Sequence, residues 1–166
     1  MRSQNLQSKK KQWHRDLCGY ILKKDSPSCG MERGKIWDDV MPIREGVGIY
    51  AGKMVKNFPY LPVEEGGRLG DAVLRENFIQ RVFIMHRWHQ LKEQGMTLND
   101  LLNFYARHKL IVMSHNQNRN RELGQLLAAA RKDNVLEVAE EYLPKLMRAL
   151  KIPATRGNHV DTLRHV

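Results

Sequence analysis

DAVLRENFIQRVFIMHRWHQLKEQG, residues 71–95, is long, free of internal proline and apolar at three- and four-residue intervals. Val73, Leu74, Phe78, Val82, Met85, Trp88 or His89, and Leu91 recur at the spacing of a helix with one buried face. Asp71 is a suitable N-cap, because its carboxylate can accept from the free amides of the first turn. Gly95 is a suitable stop, because glycine adopts the left-handed backbone that ends many helices. A helix over this span, with Phe78, Val82 and Met85 facing the apolar Leu110–Met113 run and Leu126–Leu127, organises the rest of the chain.

Downstream, the pattern repeats. TLNDLLNFYARHKLIVMSHN (97–116) opens with a Thr97 cap followed by Asp100 and carries its own apolar stripe. NRELGQLLAAARKD (120–133) and VLEVAEEYLPKLMRALKI (135–152) predict two further helices, with Pro144 bending the second. HVDTLRHV (159–166) begins another apolar-periodic segment, and its abrupt end at Val166 is read as a helix cut short.

Upstream, the character differs. LCGYILKK (17–24) is short and β-leaning, and Pro27 and Gly30 close it into a turn, Ser-Pro-Ser-Cys-Gly, that presents the Cys29 thiol. GKIWDDV (34–40) suggests a second extended piece, and residues 46–58 a helix that Pro59 ends. Residues 59–71 read as a glycine-bearing loop, with Glu64, Glu65 and Arg68 in an ion pair that pins the connection. The expected fold is therefore mainly α: a short β and loop segment, then a bundle of four to five helices. Its divisions are a mobile basic arm at 1–15, anchored at Trp13, a segment at 16–69, and a helical domain at 70–166.

Charge narrows the functional classes. Lys and Arg number 28 against 18 Asp and Glu, a net charge of +10. Arg2, Lys9, Lys10, Lys11 and Arg15 all precede the first acid, Asp16. This excess favours anionic partners, above all nucleic acid, against a solubilising tail without a specific partner. Lys9, Lys10, Lys11 and Arg15 in the arm, with Arg119 and Arg121 in HNQNRNR (115–121), are the candidate phosphate contacts. Trp13, Tyr20, Trp37, Tyr60 and Trp88 are candidate stacking surfaces, Trp88 reading better as core. No apolar run reaches the ~18 residues of a membrane span, and the basic N-terminus lacks the apolar centre of a secretory signal, so a cytoplasmic protein with no membrane partner is expected.

Metal and thiol chemistry is thinly supplied. Cys18 and Cys29 are too few for a four-thiolate zinc site or a self-contained iron–sulfur site. His86 and His89 stand three apart on one predicted helix, and His108 and His115 seven apart on another. Without a Glu-x-x-His or cysteine pattern beside them they read as helix-surface or core histidines, so no metal is expected.

Three stretches in this order carry a family resemblance. GYILKKDSPSCGMER (19–33) resembles the C-terminal motif of the thiouracil desulfurase (TudS) family. Residues 46–83, with Leu-Pro-Val-Glu-Glu and Leu-Arg-Glu-Asn-Phe, resemble the connection from that domain to a YbgA-like domain. HKLIVMSHNQNRNRELGQLLA (108–128) and NHVDTLRHV (158–166) resemble the YbgA-like domain itself. The resemblance implies desulfuration of thiolated uracil by a 4Fe-4S cluster on three cysteines, in RNA for two-domain members, with the YbgA-like half handling the RNA. Cys29 matches the third cluster ligand, and Ser26 and Ser28 lie in the same active-site turn. The other two ligands belong to a segment that this chain does not contain, and Cys18 is not one of them. One thiolate cannot hold the cluster, so no cofactor is expected in this chain alone and Cys29 reads as a thiol in a structural turn. The expectation is a YbgA-like accessory module that engages tRNA or other RNA, shortened at both ends and prone to self-association through an incompletely covered core. The alternatives are a desulfidase completed by a partner chain, and an inactive gene fragment.

Overall fold

The computed structural model describes residues 17–23, 36–38, 41–43 and 54–165. Strand β1 (Tyr20–Leu22) is followed by β2 (Ile36–Asp38), β3 (Met41–Ile43) and β4 (Val63–Glu65), then by a 3-10 turn at Arg68–Gly70. Five helices complete the chain: α1 (Ala72–Glu93), α2 (Leu98–His115), α3 (Gln117–Ala128), α4 (Val135–Ala149) and α5 (Arg156–Leu163). The mainly α expectation holds, with the small β part on the N-terminal side.

The helix boundaries follow local chemistry. Asp71 Oδ1 accepts from Val73 N at 2.8 Å and Leu74 N at 3.0 Å, which satisfies two amides that the helix cannot pair itself. Gly95, at φ 78°, ends the turn after α1 in the left-handed region where other residues are strained. Thr97 is the expected cap, and with Asp100 it forms a capping box. Asn116 ends α2 and starts α3 within one residue: its extended backbone breaks the helix, and its side chain accepts from Arg119 N at 2.9 Å. Pro144 lies inside α4, which runs on to Ala149. Helix α5 begins at Arg156, three residues before the predicted segment, because Thr155 caps it through Asn158 N at 3.2 Å.

The core is aromatic at its centre. Trp88 of α1 stacks on Tyr142 of α4 with centroids 5.6 Å apart, and meets Phe104 of α2 edge-on at 5.2 Å. Phe104 is in turn edge-on to Tyr142 at 6.3 Å. Ile84, Met85, Leu101, Val112, Leu123, Leu127 and Leu146 fill the space around these rings. Asn77 of α1 donates to Leu150 O at 3.0 Å and fastens the end of α4 to α1.

Two expectations need correction. Phe78 and Val82 do not face the Leu110–Met113 run. They close on Gly19, whose hypothetical Cβ would stand 2.5 Å from Val82 Cγ2 and 3.4 Å from Phe78 Cζ. Helix α1 is gripped from two directions, by the bundle and by the segment before β1, so its apolar residues form a belt rather than one stripe. Of the 110–113 run only Val112 is fully buried, and Leu110 is exposed. Exposed apolar side chains occur on α1, as Val73, Ile79 and Phe83, and toward the C-terminal end, as Ile152, Val160 and Leu163.

The second correction concerns residues 59–71, read as a loop. Val63–Glu65 form β4, parallel to β1 with Tyr20 opposite Val63 and Leu22 opposite Glu65. Glu64 and Glu65 are buried rather than solvated. The ion pair itself is present, Arg68 Nε to Glu64 Oε1 at 3.3 Å, and half-buried Arg81 lies close enough to feel the same carboxylate. β2 pairs antiparallel with β3, Trp37 opposite Pro42. Of the predicted helix at 46–58, the described part is helical at 54–57.

Two substitutions separate packing from polarity in the core. Trp88→Ala should lower unfolding free energy by about 3–5 kcal/mol, the range for removing a buried large aromatic. Tyr142→Phe should cost nothing or stabilise, because the buried Tyr142 hydroxyl has no hydrogen-bond partner among the described residues. Chemical denaturation checks both; a Tyr142→Phe destabilisation as large as that of Trp88→Ala would show that the hydroxyl is bonded.

Candidate functional site

The corner at Asn116 turns α3 against α2, and the two helices enclose a groove of about 490 Å³. Gln117, Asn120, Arg121, Gly124 and Gln125 fall at successive three- and four-residue steps along α3 and so share the face that lines it. Tyr105 of α2 and His165, beyond α5, complete the polar lining. Tyr105 Oη donates to Asn120 Oδ1 at 3.3 Å, and burial pushes its pKa up, so the ring is held as a neutral phenol. A Cβ on Gly124 would stand 3.2 Å from that hydroxyl. Glycine is what lets α3 approach Tyr105 without displacing it.

The groove thus offers one guanidinium, three carboxamides, an imidazole and a phenol, with no acidic side chain in its lining. That set can contact phosphate, sugar hydroxyls and base edges at once.

The two arginines picked out by sequence separate here. Arg119 pairs with Glu122, Nη1 to Oε2 at 2.8 Å, and its guanidinium is committed along the helix surface. Arg121 lines the groove. Residues two apart on a helix do not share a face, so the two are not one phosphate clamp. Lys9, Lys10, Lys11 and Arg15, with Trp13, lie outside the described residues, as do Ser26, Ser28 and Cys29. Sequence reasoning missed Tyr105, Gln117, Gln125 and His165, although the polar periodicity of 117–125 was available as a signal.

A second cavity, of about 550 Å³, lies between the N-terminal segment and α1. Leu17, Phe58, Tyr60 and Leu143 give it apolar walls, and His89, Lys92 and Glu93 of α1 supply the polar groups. Tyr60 is exposed there, whereas Trp88 is core, 2% exposed.

The histidines of α2 have separate duties. His108 is buried, its Nδ1 donating to Phe104 O at 2.7 Å and its Nε2 accepting from Arg87 Nη1 at 3.4 Å. Burial first, and then the Arg87 and Arg107 charges, hold its pKa below the ordinary value, against the Phe104 hydrogen bond. His115 binds Ile152 O at 2.7 Å and lies 3.0 Å from Gln80 Oε1. They do not converge. Among the described residues no group of three or more His, Cys, Asp or Glu side chains could hold a metal ion, and no helix is long and apolar enough to cross a membrane.

Comparison with known proteins bears on the helical part. Residues 109–166 match the model of a family described as a protein of unknown function, DUF1722. The chain is also 33% identical over 87 residues to Escherichia coli (strain K12) "Uncharacterized protein YbgA", over 52% of each chain. These matches support a YbgA-like domain within the chain. The chain spans about half the length of the curated relative it matches. No solved structure matches it. Apart from Tyr105, the groove lies within the family-matched segment; the desulfurase resemblance is carried by neither match.

The buried neutral His108 sets a pH dependence. Its folded pKa is depressed, so the unfolded chain takes up a proton first, near the ordinary value of about 6.5. Stability from this group is complete above about pH 6.5 and declines as pH falls toward the folded pKa. Thermal melts should therefore show falling Tm below about pH 6.5, with a shallower slope in His108→Gln; equal slopes in the two proteins would remove His108 as the cause.

Proposed function

We propose that this protein is an RNA-binding accessory module, with tRNA the leading partner class, that grips its ligand through the α2–α3 groove and the basic N-terminal arm. The observation that carries this reading is the groove itself: Arg121 beside Gln117, Asn120, Gln125, Tyr105 and His165, without a carboxylate, in a chain of net charge +10. Arginine meets phosphate with planar paired donors, while carboxamides read base edges and 2′-hydroxyls. The arm adds non-specific attraction that brings RNA to the groove.

Kinship to thiouridine or thiouracil desulfidases belongs to the same proposal and rests on the Ser-Pro-Ser-Cys-Gly sequence. Its cluster chemistry needs three thiolates where the chain has Cys18 and Cys29. The module is therefore proposed to bind RNA without desulfurating it alone, and to carry no iron–sulfur cluster of its own.

Fluorescence anisotropy with labelled tRNA across a salt series tests this. Affinity should fall steeply with salt. Changing Lys9, Lys10 and Lys11 to Gln should weaken it and flatten the slope by about 0.7–0.9 for each phosphate no longer neutralised. Arg121→Gln should weaken binding further, whereas Arg119→Gln should change little. Binding that ignores salt, or is untouched by Arg121→Gln, would contradict the proposal.

A further inference from the structure

Asn120 sits deepest among the polar residues of the α2–α3 groove. It is 8% exposed, whereas Gln117, Arg121 and Gln125 stand exposed along the rim of the same face. Its Oδ1 accepts from Tyr105 Oη at 3.3 Å. Its Nδ2 meets no acceptor among the described residues, so a residue more than nine-tenths buried presents open donors to the groove it lines. Tyr105 Oη gives its proton to Asn120 and keeps lone pairs available beside those donors. The floor therefore offers a donor and an acceptor side by side, and buried polar groups cost free energy until something pairs with them. Resting on the RNA-binding reading above, we propose that the groove takes one unpaired nucleotide of the RNA, its base edge inward on Asn120 and Tyr105 and its phosphate at the rim on Arg121.

Size, pairing and charge each select this ligand. The groove volume of about 490 Å³ lies within the range of pockets that enclose one small molecule, about 300–1,000 Å³, and is too small to admit a double helix. In duplex RNA the Watson–Crick edges are taken by the partner strand, and side chains cannot enter the deep, narrow major groove. An unpaired base instead presents adjacent acceptors and donors, the complement of Asn120 Nδ2 and Tyr105 Oη. Arg121 is a donor only and permanently charged, so it asks for a charged acceptor such as phosphate.

Inorganic phosphate would satisfy Arg121 and leave the floor unpaired, and a neutral sugar would do the reverse. A nucleotide carries both groups in one unit. Gln117 and Gln125 stand one turn to either side of Arg121, about 6 Å along the axis, and flank whatever lies across it. Met113 and Ala128 add apolar surface for the face of the base. Gly124 keeps the floor open, since a Cβ there would stand 3.2 Å from Tyr105 Oη.

Fluorescence anisotropy of the full-length chain at one salt concentration, with a short single-stranded RNA and the blunt duplex of the same strand, tests the proposal. The single strand should bind at least about tenfold more tightly, the scale of one hydrogen bond left unmade at a binding site. Asn120→Ala should remove most of that preference and Tyr105→Phe should weaken it, with circular dichroism confirming that each variant is folded. In the wild-type chain, the Asn120 side-chain amide resonances should shift when the single strand is added and stay in place with inorganic phosphate alone. Three results would overturn the single-nucleotide assignment and leave RNA binding standing: equal affinity for strand and duplex, a preference that survives Asn120→Ala in a folded protein, or Asn120 amide resonances that the strand does not move. Binding of neither RNA would instead remove the assignment together with the RNA-binding reading beneath it.

Discussion

Three rings hold this molecule together. Trp88 lies against Tyr142 and meets Phe104 edge-on, so α1, α2 and α4 share one contact point at the centre of the core. Burying such rings contributes both area and directional ring contacts, and all three belong to the main buried cluster. Fixing α1 at Trp88 also fixes its next residue, His89, and one turn on, Glu93. Fixing α2 at Phe104 likewise sets its neighbour Tyr105, the wall on which α3 closes. The groove is built on a residue adjacent to the rings, which is how a packed core gives rigid support to surface chemistry.

What could be read in the sequence was chiefly what short-range physics determines. The Asp71 and Thr97–Asp100 caps, the Gly95 stop and the run of helices depend on residues within a few positions of each other, and all are present. Trp88 could be assigned to the core because its spacing fits a buried face. The strand at 63–65 escaped because two adjacent glutamates and flanking glycines look like a loop. Its partner lies about forty residues earlier, and pairing over that distance leaves no local periodicity. The same reason explains Phe78 and Val82. Their spacing marked them as buried, but not against Gly19, which has no side chain to announce the contact.

The functional residues divide along the same line. Arg121 was visible as part of a basic cluster, and the structure separates it from Arg119, which Glu122 occupies. The His86–His89 spacing was visible too, but the contact of both rings with Cys18 was not. That cysteine reaches the pair across 68 and 71 residues, a proximity only the fold creates. The cysteine that drew notice by motif, Cys29, lies outside the described residues.

The central claim is that RNA meets this protein at the face of α3 turned toward α2. Hydrogen–deuterium exchange with and without tRNA locates the binding face directly, without substitutions. Exchange should slow on tRNA binding in Gln117–Ala128 and around Tyr105, with β1 and the early turns of α1 unchanged. Protection confined to the N-terminal segment and α1, with α3 unaffected, would contradict the claim.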